Sequence, residues 1–223
     1  DKRRPLRSYV IRAGRLTDSQ RRALAAHWDA YVVPCEGELL DLSALFPHPA
    51  PVTVEIGFGM GDSLLAMARD KPEHNFLGIE VHKPGVGKLL NGIVEHDLTN
   101  IRIVSHDAKE VFGDGLAPAS VDRVLLLFPD PWPKKRHHKR RLLQPAFVEL
   151  VATRLRPGGH FHLATDWQNY AEHMLEVMEA SPSFRNTQGA RHYWQHPERP
   201  ETKFERRGQR LGHGVWDLLY EKV

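Results

Sequence analysis

Four carboxylates set the chemistry to look for: Glu55, Glu80, Asp107 and Asp130. Each stands at or beside the end of a short apolar run that reads as a β-strand, over 52–56, 76–80, 101–105 and 121–128. In an open α/β sheet, ligands bind in the crevice beyond the carboxyl ends of the strands, so one sheet would gather these acids at one edge. Between the first strand and its helix lies Gly57-Phe58-Gly59-Met60-Gly61-Asp62, a turn whose glycines let backbone approach a nucleotide where Cβ atoms would not fit. Its Gly-x-Gly-x-Gly spacing departs from the dinucleotide fingerprint Gly-x-Gly-x-x-Gly. The acids agree with that departure: an edge rich in carboxylates repels a pyrophosphate and attracts a sulfonium that also carries an ammonium group. S-adenosylmethionine therefore fits better than NAD. Glu80 stands 23 residues after Gly57, near the spacing at which an acid accepts hydrogen bonds from ribose hydroxyls. Taken alone, it reads equally well as a strand-terminal acid facing water, and Asp62 reads first as a helix cap.

The fourth strand runs straight into Pro129-Asp130-Pro131-Trp132-Pro133 and then into a basic run. The prolines end the ladder and stiffen the exit, fixing a carboxylate and an indole at the strand end. Trp132 could stack on a base or anchor the turn from within. Lys134 to Arg141 then holds six Lys or Arg and two His in eight residues. Such a run suits a polyanion, because neutralised phosphates release counterions; a solvated loop is the plainer alternative.

The elements behind these residues follow from pattern. With 223 residues, 41% hydrophobic and 26% charged, the chain has the size and mix of one globular domain. The division expected is a basic, flexible arm over 1–15 and a single domain over 16–223. The arm holds six Lys or Arg and one Asp, although the whole chain carries only +3. Thr17 and Gln20 form a capping box before an amphipathic helix that ends ahead of Pro34. Helices are expected after the glycine turn, over 84–95, 145–155 and about 167–180, with further strands over 160–165 and 215–220. Residues 156–159 are expected to stop a helix, and 199–210 to form a basic loop. This alternation predicts an α/β fold: a Rossmann-like, doubly wound, mostly parallel sheet with helices on both faces and one antiparallel strand near the C-terminus. No apolar stretch has the length of a membrane span and no signal pattern appears, so a soluble, cytoplasmic protein is expected. Cys35 is the only cysteine, which excludes an internal disulfide framework and reads as a small apolar filler. The 14 histidines are scattered without ligand spacing, and no metal is expected.

Several segments together resemble the bacterial tRNA (guanine-N7-)-methyltransferases, which have the class I S-adenosylmethionine-dependent methyltransferase fold. They are 54–59 (Val-Glu-Ile-Gly-Phe-Gly), 78–82 (Gly-Ile-Glu-Val-His), 106–108 (His-Asp-Ala), 128–137 (Phe-Pro-Asp-Pro-Trp-Pro-Lys-Lys-Arg-His), 164–166 (Ala-Thr-Asp) and 202–205 (Thr-Lys-Phe-Glu). The Pro-Asp-Pro-Trp and Thr-Lys-Phe-Glu segments are the most characteristic, and the likeness extends over nearly the whole chain. The resemblance implies that Glu55, Glu80, Asp107 and Asp130 contact the methyl donor beside Gly57, Gly59 and Gly61, and that Asp130 is catalytic. It implies that Lys134, Asp166, Thr202, Lys203, Phe204 and Glu205 hold the substrate nucleotide. Arg136, His137, His138, Lys139, Arg140 and Arg141 would meet RNA, and the product would be N7-methylguanosine at guanosine 46 of the tRNA variable loop. From the residues alone, Asp166 could accept from a guanine amino group or cap the following helix. A monomer or homodimer without an obligatory protein partner is expected. The competing readings are a noncatalytic RNA-binding protein on the same fold and a methyltransferase for another acceptor.

Overall fold

The computed structural model describes residues 7–10, 14–212 and 214–223; the side chain of Phe204 also lies outside the description. The order of elements is α1 (Asp18–Tyr31), α2 (Leu42–Leu45), β1 (Val52–Ile56), α3 (Asp62–Asp70), β2 (Asn75–Ile79), α4 (Lys83–Glu95), β3 (Ile101–Val104) and α5 (Ala108–Glu110). They are followed by β4 (Val121–Leu127), α6 (Pro145–Arg154), β5 (Leu155–Thr165), α7 (Gln168–Glu179), β6 (Phe184–Asn186), α8 (Lys203–Arg210) and β7 (Trp216–Lys222). The seven strands form one sheet in the order β3-β2-β1-β4-β5-β7-β6. All pairs up to β5 are parallel; β7 runs antiparallel to both β5 and β6, as the sequence predicts. The order reverses between β1 and β4, and at such a switch point the loops diverge and leave a crevice.

Strand alternation decides what covers each face. Val124 and Leu126 of β4 with Phe161 and Leu163 of β5 pack beneath Phe147, Val148 and Val151 of α6 and Tyr170, Met174 and Met178 of α7. On the other face, Leu64 and Ala68 of α3 join Ala23 of α1 and Val86, Leu89, Leu90 and Ile93 of α4 over Phe76, Ile101 and Ile103. The Thr17–Gln20 capping box starts α1 as predicted. Cys35 is buried in the core, as expected of a small apolar filler.

Two expectations need correction, and one strand went unread. β5 begins at Leu155, not 160, because Leu155 pairs with Val121 across a register shift and Gly158, at φ +83°, carries the chain through it. β6, only three residues long, gives too short a pattern to read. Residues 203–210 form a helix rather than a loop: Thr202 and Glu205 make a second capping box, which charge density hid. The arm is described only in part; residues 1–6 and 11–13, on which the expected flexibility bears, lie outside the described residues. Among the described residues no helix is long and apolar enough to cross a membrane.

Candidate active site

A cavity of about 210 Å³ lies at the switch point, lined by Gly57 after β1, Glu80 after β2, His106 and Ala108 after β3, and Pro129 and Asp130 after β4. Ile56, Ile79, Leu126 and Leu142 give it apolar walls, and Ser8 and Tyr9 of the arm close one side. The parallel register sets Ile56 opposite Ile79 and Leu126, so the chains following three strands emerge at one level. The glycine loop forms the fourth wall for steric reasons. Gly57 and Gly59 lie at φ +65° and +63°, and a Cβ on Gly59 would meet nothing within 4 Å, so that side stays open to a ligand. Gly61 differs: a Cβ there would lie 2.9 Å from Leu89, and its task is packing against α4. A Cβ on Gly85 would sit 1.9 Å from the Gly59 carbonyl, so Gly85 lets α4 press against the loop.

Of the four acids, Glu80 and Asp130 line the cavity; the other two are placed differently from expectation. Glu80 accepts from the Gly59 N–H and the His82 N–H, both at 3.2 Å, which tie it across the glycine loop. Burial raises its pKa, and those two donors oppose the rise. Glu55 lies beneath the edge, 3% exposed, inside β1. Burial and the Glu80 charge push its pKa up to about 8, so it is protonated at neutral pH. Its Oε2 is buried with no partner among the described residues. Asp107 does not line the cavity: its Oδ1 caps α5, accepting from the Lys109 N–H at 2.9 Å and the Glu110 N–H at 3.2 Å.

Asp130 owes its position to the turn. Phe128 and Trp132 both adopt left-handed backbone, at φ +54° and +43°, which bulky residues seldom do and which marks stored strain at a functional loop. Between them Asp130 is exposed, and its Oδ1 accepts from the Trp132 N–H at 3.1 Å. Of the two readings of Trp132, the structure takes the anchor. Its ring is 7% exposed, Nε1 donates to the Ser8 carbonyl at 3.1 Å, and Arg140 lies over it at 4.9 Å. The indole thus holds the arm across the cavity. Burial and the Asp107 charge push the Tyr9 phenol up, keeping it neutral there.

The basic run is a 3-10 helix, Lys135–Arg140, beginning just after Lys134; Lys134, Lys135, Arg136 and Lys139 are exposed, and His137, His138 and Arg140 are half-buried. Arg141 departs from the expectation of an RNA contact. It is 1% exposed, donates from Nε to the Pro131 carbonyl and from Nη2 to Asn169 Oδ1, both at 2.8 Å, and lies 4.7 Å over Tyr170. Arg141 therefore clamps the Asp130 turn from below.

The C-terminal residues reach the site through α8. Lys203 is exposed, with Nζ 3.8 Å from Asp62 Oδ2, beside the glycine loop. Asp62 itself is not the cap: Gly61 holds that position, and Asp62 pairs with Lys88 at 2.9 Å. Thr202 Oγ1 caps α8, and Glu205 is turned inward onto Arg199 through two bonds of 2.6 Å, so Glu205 builds the helix start and is closed to a nucleotide. Asp166 is exposed and does not cap α7, whose N-cap is Trp167. Sequence reading gave Arg199 only as the start of a basic loop. It binds Asp217 and Glu205 at once and stacks 5.2 Å over Phe128, linking α8 to the Asp130 turn. Ser8, Tyr9 and Gly85 likewise gave no signal beyond their residue types.

The cavity suits a nucleoside with a cationic tail. It offers an acid for hydroxyls, an open glycine turn and a second acid at the mouth. Among the described residues no cluster of side chains could hold a metal ion. Comparison with known proteins points the same way. Residues 49–218 match the family described as "Putative methyltransferase". A protein of Ectopseudomonas mendocina (strain ymp) is 57% identical over 221 residues, 99% of this chain and 93% of its own length. One of Stutzerimonas stutzeri (strain A1501) is 56% identical with the same coverage, and one of Pseudoalteromonas atlantica is 52% identical, covering 99% and 92%. All three are named tRNA (guanine-N(7)-)-methyltransferase. Among solved structures, the 16S rRNA methyltransferase KamB aligns with TM-score 0.59 at 17% identity, over 83% of this chain and 95% of that one. SMU.1697c of Streptococcus mutans, described as "a putative methyltransferase" and solved in complex with SAH, aligns with TM-score 0.52 at 11% identity, over 82% and 93%. These two likenesses establish the class I methyltransferase fold.

Proposed function

Because the chain belongs to the tRNA (guanine-N(7)-)-methyltransferase family, we propose that it transfers a methyl group from S-adenosylmethionine to N7 of guanosine 46 in the tRNA variable loop. The observation that carries this reading is Asp130: an exposed carboxylate at the mouth of a nucleoside-sized cavity, fixed by a strained turn, where the basic helix begins. Bound S-adenosylmethionine supplies an electrophilic methyl group on a sulfonium. Glu80 would hold ribose hydroxyls, the Gly57–Gly59 backbone would lie along the nucleoside, and Ile79, Ala108 and Leu142 would receive its apolar surface.

Guanine N7 has an in-plane lone pair and no proton, so attack requires no general base. The ring becomes cationic as the bond forms. Catalysis then rests on holding N7 in line and on negative charge placed beforehand beside the imidazole ring. Asp130 supplies that charge without reorganising, because the Trp132 N–H, the Arg141 clamp on Pro131 and the flanking prolines fix it in advance. Lys134, Lys135, Arg136 and Lys139 are available to phosphates, and Lys203 and Asp166 stand exposed for the nucleotide. N7 lies in the deep, narrow groove of A-form RNA, which side chains read poorly, so a loop-borne guanine is the fitting acceptor. The test is Asp130→Asn, which keeps the shape and removes the charge. Donor affinity should stay within a few-fold while turnover falls by about 10²-fold or more. Unchanged turnover would remove Asp130 from the chemistry.

A further inference from the structure

A second cavity, of about 780 Å³, opens on the sheet face away from α6 and α7, between the later turns of α3 and residues 197–200. Its floor spans three adjacent strands: Thr53 of β1 pairs with Arg123 of β4, and Arg123 with His160 of β5. Met67, Phe76 and Leu125 form an apolar wall. It shares no lining residue with the cavity at the switch point.

Arg123 is the unusual feature. Other inward-turned arginines have acceptors: Arg141 has Pro131 and Asn169, Arg154 has the Phe112 and Gly113 carbonyls, and Arg199 has two carboxylates. Arg123 stands half-buried on a central strand, and its Nε is sealed from solvent with no acceptor among the described residues. Glu198 is the acid whose charge reaches it, but the two form no ion pair among the described residues. Asp122, next in sequence, is already engaged by the Val52 N–H at 2.8 Å and Arg156 at 3.3 Å. The Arg123 side chain lines the cavity and makes no hydrogen bond to any described residue, so its cavity-facing end can take an acceptor from outside the chain.

We propose that this cavity binds a small organic anion, a carboxylate or phosphate monoester on an apolar body. Arg123 takes the anionic head through its planar fork, and the Met67, Phe76 and Leu125 wall takes the body. The volume falls in the range of small-molecule pockets. Arg199 lines the same cavity, so its roof continues into the segment that caps α8.

The experiment titrates the full chain with phenyl phosphate, benzoate and uncharged benzyl alcohol, following the arginine Nε–H resonances by NMR and heat by calorimetry. The expected result is saturable binding of phenyl phosphate or benzoate with Kd below about 1 mM, a shift of the Arg123 Nε–H, and none with the alcohol. The stronger of the two anions identifies the head group. Arg123→Gln should weaken binding at least about tenfold with methyl transfer to tRNA retained, and Glu198→Gln should tighten it. If Arg123→Gln does not fold, Arg123→Lys keeps the charge, loses the fork and should still weaken binding. Saturation by neither anion, equal affinity in the Arg123 variant, or shifts confined to the basic helix would overturn the proposal.

Discussion

Replacing Arg199 by Gln tests whether one buried guanidinium holds the nucleotide-facing segment to the sheet. Its side chain is 3% exposed and forms forks with two acids: Nε and Nη2 meet Asp217 at 2.7 and 2.8 Å, and Nη1 and Nη2 meet Glu205, each at 2.6 Å. Burial opposes ionisation of both acids. The hydrogen bonds from His162 and Arg199 to Asp217, and from Arg199 and the Thr202 N–H to Glu205, nevertheless keep both carboxyls below their usual range. Removing the cation leaves two carboxylates buried and uncompensated, a change that costs about 3–5 kcal/mol. That is a large part of the 5–15 kcal/mol by which a domain is typically stable. Urea unfolding at pH 7 should lose stability of that order, and turnover should fall as well, because Arg199 also stacks on Phe128 beside the Asp130 turn. Neutralising the acids too, in Arg199→Gln with Glu205→Gln and Asp217→Asn, should restore part of the loss. The sign with pH is fixed: depressed carboxyls stabilise above their unfolded pKa values, and that contribution disappears as pH falls through the folded values, which lie below the usual carboxylate range. The gap between wild type and Arg199→Gln should therefore close in acid. A loss under about 1 kcal/mol at pH 7, with no closing in acid, would show that the network is solvated and refute the reasoning.

Three further outcomes follow from the site. Glu55, raised from 4.5 to about 8, binds its proton more tightly in the folded chain, so wild-type stability should fall with pH between those values, by up to about 1.4 kcal/mol per unit. Glu55→Gln should lack that slope and be the more stable form at pH 9; parallel unfolding profiles would remove the buried acid from the account. Replacing Lys135, Arg136 and Lys139 by Ala should lower the salt slope of tRNA binding by about 0.7–0.9 for each lost phosphate contact, without loss of stability. Arg141→Ala should do the reverse, destabilising the chain with little change in that slope.

Local signals carried most of the fold. The apolar runs of β1 to β4, the Thr17–Gln20 box and the Pro-Asp-Pro-Trp-Pro turn are each dictated by residues close in sequence, and each appears where the pattern puts it. The misses arose where a remote partner decides. Arg141 reads as surface because it sits in a basic run, yet its acceptors are Pro131 and Asn169. Asp107 reads as one of four edge acids, but the turn of α5 takes its oxygen. Glu205 reads as a nucleotide contact until Arg199 is seen to claim it. Asp130 was legible because three prolines leave its turn little freedom; the left-handed strain at Phe128 and Trp132 was not, since no glycine marks it. The arm over the cavity was invisible for a similar reason: the bond from Trp132 to the Ser8 carbonyl spans 124 positions.

The most direct measurement of the central claim is transfer of labelled methyl from S-adenosylmethionine to unmodified tRNA transcripts, one with guanosine 46 and one with that base replaced. The account predicts label as N7-methylguanosine in the first transcript and none in the second. Equal labelling of both, or none in either while the donor binds, would contradict it.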